Sequence, residues 1–440
     1  MRYLFVSAQL SGHLDWGGFL ATAVELQSRG HEVLWASGKE VAHLVQRVGI
    51  PFHRLEQTGW RWPPPVPLQP DTTLSAEALH ILRAERALDQ WLDVDRVGLA
   101  VVELLDLCQS FGPDVVVAEN FMSSAAILAE VIALPFAVAG WPAFQASLNP
   151  KTQIIAELAA KRLASLKEEF NITGVNWTSV GASMLLSPWL HLSYWSSRWF
   201  HGVSLLEQTQ HVGGYAQEVS SLPLDDPSAM LLNGELVEGE LSQQESVMDA
   251  PWVFVTLGTS FADDPNFFIA ATHAIEQIDA VPIVALAENK EVSNQQLGRK
   301  ELTQESRADA RRVTVEELCE RLAPSSIVLD QINFDAVLPS VSAAIHHGGA
   351  GTAHALVTHA VPQIVVPHAA DQMHQAHGVA RSEVGVAIRP QNVTISALAQ
   401  VLDEMFVASS DFQRNAQRLQ AEFAQLGGIK RAADLLERNR

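Results

Sequence analysis

A chain of 440 residues is longer than one hydrophobic core sustains, and 48% hydrophobic with 18% charged residues describes a folded protein of two or three domains. Fifty acidic side chains against 29 basic ones give a net charge of −21, which repels nucleic-acid backbones and anionic membranes, so any bound anion calls for neutral donors such as backbone N–H groups. Cys108 and Cys319 suit neither a disulfide framework nor a zinc site, and no run is long and unbroken enough for a signal peptide or membrane span, so a cytoplasmic protein without an integral membrane segment is expected.

In chain order, "YLFVS" (3–7), a helical pattern from Phe19 to Arg29 and "HEVLWAS" (31–37) predict a βαβ unit. Between the first run and its helix lies "SAQLSGHLDWGG" (7–18), which puts His13 at the carboxyl end of a strand. "GWRWPPPVPLQP" (59–70) is too proline-rich for helix or central strand and predicts a long exposed loop. "DVVVA" (114–118), followed by Glu119, then "PFAVA" (135–139), "WLHLSY" (189–194) and "QHVGG" (210–214) extend a parallel sheet. Trp189, Trp195 and Trp199 either line an apolar pocket or pack the interior. The first domain is expected over 1–215, an acidic linker over 216–250, and a second doubly wound α/β domain over 251–440, with the last helix returning to the first domain. The second domain's strands are expected at "PWVFVTLG" (251–258), "VPIVAL" (281–286), "SIVL" (326–329), "SAAIHH" (342–347) and "PQIVVP" (362–367).

The densest signal is "AIHHGGAGTAHALVTHAVPQIVVPHAADQMHQA" (344–376). A strand ends at His346 and His347, passes through Gly348, Gly349 and Gly351, and opens a helix at about Thr352 or Ala353. Glycines admit close approach of an anion, and the first helical turn presents N–H groups with the positive end of the dipole behind them. That pattern suits a phosphate or diphosphate, with His347 beside the turn and the Thr352 hydroxyl at the helix start. Asp371 and Gln372 follow the next strand at its carboxyl end, where an acceptor carboxylate beside an amide suits a polyol; a helix N-cap is the other reading of Asp371. The seven histidines between 346 and 377 scatter over strand ends and loops without a ligand spacing, so no metal site is expected.

The run "HHGGAGTAHALVTHAVPQIVVPHAADQ" resembles the donor signature of bacterial family-1 glycosyltransferases, and "INFDAVLP" (332–339), "VFVTLGTSF" (253–261) and "SGHLDW" resemble segments of the same family. The resemblance implies the α/β GT-B fold: two facing Rossmann-like domains with an interdomain cleft, acceptor in the first half and nucleotide sugar in the second. It further implies an inverting, metal-independent transfer of a sugar from a UDP- or dTDP-sugar to a hydroxyl or similar nucleophile of a hydrophobic small molecule. His13 is then the base and Glu119 its partner. Thr259, His347, Gly349, Gly351 and Thr352 hold the diphosphate, Gln331 and Ile332 the nucleoside, and Asp371 with Gln372 the sugar. No cofactor beyond the donor co-substrate is expected, and the chain is taken as monomer or homodimer. Gln331 replaces a common aromatic residue, Ala355 stands where uridine-specific members carry a ribose-binding glutamate, Glu119 stands for the usual aspartate, and Asp15 and Trp16 for Asn and Pro. The base of the donor therefore stays open. A nucleotide-sugar epimerase and a catalytically silent binding protein are the alternatives.

Overall fold

The computed structural model describes every residue except 15–16, 64, 66–73, 146–152, 180–182, 215, 217–225, 234–249, 259–263, 287–314, 330–331, 369–370, 408–409 and 439–440. Contacts divide the chain into two compact units, one of residues 1–196, 202–214 and 425–440, the other of 197–201 and 215–424.

The first unit is built on β1 (Arg2–Val6), β2 (Glu32–Ser37), β3 (Phe52–Arg54), β4 (Val115–Glu119), β5 (Phe136–Ala139), β6 (Leu190–Ser193) and β7 (Thr209–His211). They form a parallel sheet in the order β3-β2-β1-β4-β5-β6-β7. Tyr3 to Val6 and Val115 to Ala118 are wholly buried, as a sheet covered by helices on both faces requires. Phe5 stacks on Trp35 at 5.4 Å between ring centroids, and Phe19 of the following helix closes on both, which fixes that helix against the strands. The final helix, Gly428–Arg438, belongs to this unit and lies against helix Phe19–Ser28. Arg29 joins the two by bonding Asp434 at 2.8 Å and Glu437 at 2.9 Å.

The second unit carries β8 (Trp252–Thr256), β9 (Val281–Ala285), β10 (Ile327–Leu329), β11 (Val341–His346), β12 (Gln363–Val365) and β13 (Gly385–Ala387). They are parallel in the order β10-β9-β8-β11-β12-β13. One apolar cluster around Phe267, Phe268 and Leu402 and another around Trp252, Phe254 and Leu356 make up its core. Within the acidic span 216–250, helix Pro227–Leu232 is seated on this unit: Leu231 is buried in the second cluster and Ser228 Oγ accepts from Asn333 N–H at 2.7 Å.

The apolar runs of the sequence become strands close to where patterning places them. The edge strands β3 and β13 escape it, because beyond their first residue both are only half-buried or exposed and present no continuous buried apolar run. Both sheets change direction once: β1 has β2 on one side and β4 on the other, and β8 has β9 and β11. At such reversals the loops leave the carboxyl ends on opposite faces and open a crevice for a ligand. The tryptophan alternatives resolve toward packing. Trp195 and Trp199 are 3% and 1% exposed, and Trp199 Nε1 donates to Gln375 Oε1 at 3.2 Å. Helix Gln372–Arg381 meets this indole through Gly378, where an added Cβ would fall 2.0 Å from the ring. Gly378→Ala should therefore overpack the second unit at a cost of about 1–3 kcal/mol, read as a lower melting temperature; an unchanged melting temperature would refute the contact.

Candidate active site

The first crevice lies between β1 and β4, whose register sets Val6 beside Ala118 and so brings the segments after them together. His13 sits in a single helical turn, Ser11–Leu14, and Glu119 is the last residue of β4. Glu119 is wholly buried, and its carboxylate accepts three bonds. Oε1 takes Ala8 N–H at 3.2 Å and His13 Nδ1–H at 2.8 Å, and Oε2 takes Phe121 N–H at 3.1 Å. A buried carboxylate needs such donors to remain charged. Because Nδ1 carries the proton given to Glu119, the lone pair of the neutral ring is on Nε2.

Aromatic rings surround this pair. Trp60 meets the His13 ring edge-on at 4.8 Å, and Phe121 lies tilted to it at 5.9 Å. Phe121 in turn touches Trp60 at 5.6 Å, Trp91 at 6.3 Å and Trp141 at 6.1 Å, while Trp177 stacks on Trp91 and Phe144 meets Trp141. Trp60 belongs to the proline-rich stretch expected to be an exposed loop, and the expectation fails at its start. Thr58 and Gly59 are buried, Trp60 N–H donates to Thr58 Oγ1, and Arg61 and Gln90 exchange two bonds. Prolines exclude regular structure but not burial, and here tertiary partners hold the backbone. These rings are what sequence reasoning missed. The signal was present: Phe121 and Trp141 each follow the carboxyl end of a strand by two residues.

The second crevice lies between β8 and β11, where His346 is level with Thr256. His346 and His347 part ways there. His346 is fully buried in the turn, accepting from Gly348 N–H at 3.2 Å and donating to Gln363 Oε1 at 3.0 Å, so its role is to hold the chain. His347 lies between two glycines. A Cβ on Gly258 would stand 2.5 Å from its Cε1, and one on Gly349 would stand 2.6 Å from its Nε2. Gly258 also has φ of +64°, so a side chain there is excluded twice.

The helix after this turn starts at Ala350, not at Thr352 or Ala353. Gly349 is its N-cap in an extended conformation and accepts from Ala353 N–H, so helical geometry begins earlier than the threonine suggests. Ala350, Gly351 and Thr352 are thus the first three helical residues, whose N–H groups have no acceptor within the helix. Asp371 occupies the N-cap position of helix Gln372–Arg381 without a side-chain cap bond. Gln372 is 3% exposed, and its Oε1 accepts from His368 N–H at 2.7 Å. His368 spans the Val366 carbonyl at 2.8 Å and Asp264 Oδ2 at 3.3 Å, a link hidden in the sequence by a separation of 104 positions. Ile332 is partly buried against the Trp252 and Phe254 cluster. Thr259 and Gln331, with Asp15 and Trp16, lie outside the described residues. The structure thus brings His13 and Glu119 together in one unit, and His347, Gly349, Gly351 and Thr352 around one turn in the other. Among the described residues no group of three or more His, Cys, Asp or Glu side chains is placed to hold a metal ion, and no helix is long and apolar enough to cross a membrane.

Residues 310–427 match the family described as erythromycin biosynthesis protein CIII-like, C-terminal domain. Oleandomycin glycosyltransferase of Streptomyces antibioticus is 32% identical over 188 residues, 42% of this chain and 37% of that one. Erythronolide mycarosyltransferase of Saccharopolyspora erythraea is 34% identical over 95 residues, 22% of this chain and 23% of that one. The matched stretches therefore span well under half of these relatives' lengths. The solved glycotransferase of kitacinnamycin superposes with a TM-score of 0.68 at 18% identity, covering 99% of this chain and 98% of that one. A spinosyn rhamnosyltransferase complexed with thymidine diphosphate superposes with 0.65 at 16% identity, covering 99% and 100%. The fold is that of these transferases, GT-B.

Burial holds three histidines neutral. It is the main cause in each, pushing His191 down to about 4, His346 to about 3 and His347 to about 4. For His347 the neighbouring His368 lowers it further and a hydrogen bond with the Thr256 backbone opposes. His191 fits the neutral state by donating to the Trp141 carbonyl through Nδ1 while accepting Ser187 N–H at Nε2. An unfolded imidazole takes up its proton near pH 6.5, so between that pH and about 4 the unfolded chain binds more protons than the folded one. This stability is complete above about pH 6.5 and is lost as the pH falls toward 4. The melting temperature should accordingly hold from pH 7.5 to about pH 6.5 and fall increasingly from there to pH 5, and a flat profile between pH 6.5 and 5 would contradict the assignment.

Proposed function

We propose that this chain, a homologue of the bacterial family-1 natural-product glycosyltransferases, transfers a sugar from a nucleotide diphosphate sugar to a hydroxyl of a hydrophobic small molecule. The observation that carries the reading is the His13–Glu119 pair at the strand reversal of a unit distinct from the one with the glycine turn. As the acceptor oxygen attacks the anomeric carbon, its proton passes to His13 Nε2, and the buried Glu119 carboxylate stabilises the imidazolium that forms. The bond from the anomeric carbon to the diphosphate breaks, and its electron pair goes to the phosphate oxygen. Because a single displacement from the far side inverts the carbon, the product anomer is opposite to the donor's.

The leaving diphosphate is received by the N–H groups of Ala350, Gly351 and Thr352 at the positive end of their helix. His347 adds a neutral ring N–H, in keeping with a net charge of −21 that leaves few cations to spend. These donors carry out the charge stabilisation for which other phosphate sites use a metal ion, and on that ground the reaction is read as metal-independent. Asp371 accepts from sugar hydroxyls. Gln372, whose oxygen is already engaged, offers its amide N–H. Ile332 and Gln331 are assigned to the nucleoside, and Thr259 to the diphosphate, on the family resemblance of their sequence segments alone. With Ala355 in place of a ribose-binding carboxylate, a uridine donor leaves its ribose 2′-hydroxyl without that acceptor while a thymidine donor has no such hydroxyl to satisfy, so the site loses less on dTDP-sugars and these are the favoured class.

The direct test is incubation with matched dTDP- and UDP-sugars and a panel of hydroxyl acceptors, followed by mass spectrometry of the products. Sugar interconversion without acceptor consumption would point to an epimerase instead. His13→Ala should lose ~10² to 10⁴ in turnover while nucleotide diphosphate affinity holds, with Glu119→Gln losing less. A wild-type rate in His13→Ala would falsify the base assignment. Gly349→Ala puts a methyl group against His347 and the anion's path, and should weaken nucleotide diphosphate binding about tenfold or more; calorimetric titration showing equal affinity would remove the turn from the donor site.

A further inference from the structure

We infer that the acceptor is a flat aromatic molecule and that the hydroxyl glycosylated is a phenol attached to its ring system. The inference rests on the proposed transferase reading and goes beyond it by naming the acceptor class. Two of the side chains next to His13 are aromatic rings, Trp60 and Phe121, and further rings extend from them. Trp60, Phe121 and Trp141 follow the carboxyl ends of β3, β4 and β5, the edge where an open parallel sheet binds ligands. Their burial is graded: Trp141 is 8% exposed and Trp177 is 4% exposed, while Trp60, Trp91, Phe121 and Phe144 are only half-buried. The half-buried rings of this aromatic wall keep part of their surface accessible to a further group. Several of its rings meet edge to face, at interplanar angles of 66° for His13 with Trp60 and 61° for Trp60 with Phe121, so further ring edges and faces are presented to what enters. Aromatic partners in such arrangements gain an attraction beyond area burial that an aliphatic skeleton of equal size does not.

The wall is also held rigid from the catalytic side. The Glu119 carboxylate that bonds His13 through Oε1 bonds the Phe121 backbone through Oε2, so the base and the central ring share one anchor. A planar acceptor lying against Phe121 and Trp60 has its substituents in the ring plane, and a hydroxyl on its rim meets the imidazole edge. A phenol ionises near pH 10, as tyrosine does, which places its proton within reach of an imidazole base. The step balances: the phenol oxygen bonds the anomeric carbon, that carbon's bond to the diphosphate oxygen breaks with its electron pair, and the phenolic proton goes to His13 Nε2.

The test compares 2-naphthol with its saturated counterpart decahydro-2-naphthol under one dTDP-sugar and one UDP-sugar, reading kcat/KM for transfer and, separately, nucleotide diphosphate affinity. We expect naphthol to be preferred at least tenfold. Trp60→Leu should narrow that ratio through KM for naphthol while nucleotide diphosphate affinity stays as in the wild type. Quenching of tryptophan fluorescence by naphthol, weakened in Phe121→Leu, provides a binding readout independent of turnover. Equal or better transfer to the saturated alcohol, or an unchanged ratio in Trp60→Leu, overturns the aromatic assignment and leaves the transferase reading standing. Transfer to neither alcohol together with no affinity for either nucleotide diphosphate overturns both.

Discussion

The carboxylate of Glu119 is the interaction on which the first unit's site depends. A charge with no solvent contact persists only where donors converge on it, and the donors here come from the end of β1, from the turn after β4 and from the ring of His13. Satisfying that one buried group therefore pins the two strands at their reversal, sets the tautomer of the imidazole and fixes the backbone of Phe121. The aromatic wall is built outward from this point.

The second unit solves the complementary problem with almost no charge. A strand ending in two histidines gives one to the fold and one to the turn. His346, wholly buried between Gly348 N–H and Gln363, locks the chain direction; His347 is confined by Gly258 and Gly349. The glycines matter here because the ring occupies the space a Cβ would need. The result is a cluster of oriented, neutral N–H donors at a helix start, suited to an anion in a protein whose overall charge would otherwise repel it.

Both arrangements arise at the same feature of the topology, the place where a parallel sheet changes direction. The feature explains why residues far apart in sequence converge: β1 pairs with β4 and β8 with β11, so the loops after each pair are neighbours whatever lies between them. The strands on either side of each reversal are largely buried and apolar, with Glu119 at the end of β4 and His346 at the end of β11 among the exceptions.

What the sequence determined by itself was whatever depends on near neighbours. Buried parallel strands read as apolar runs, the glycine turn with its histidine and following helix lies within a few residues, and His13 and Glu119 stand at strand ends that patterning locates. Edge strands such as Phe52–Arg54, at most half-buried, carry no continuous apolar run, and the helix start at Ala350 depended on Gly349 serving as cap, which a nearby threonine obscured. Only the tertiary structure decided that Glu119 reaches His13 across 106 positions, that Trp60 leaves a proline-rich stretch to face the imidazole, and that Trp199 packs on Gly378 instead of lining a pocket. The physical reason is the range of the forces. Propensity and periodicity act along the chain, whereas the pairing of a buried charge and the stacking of rings act through space, between segments that strand order alone brings together.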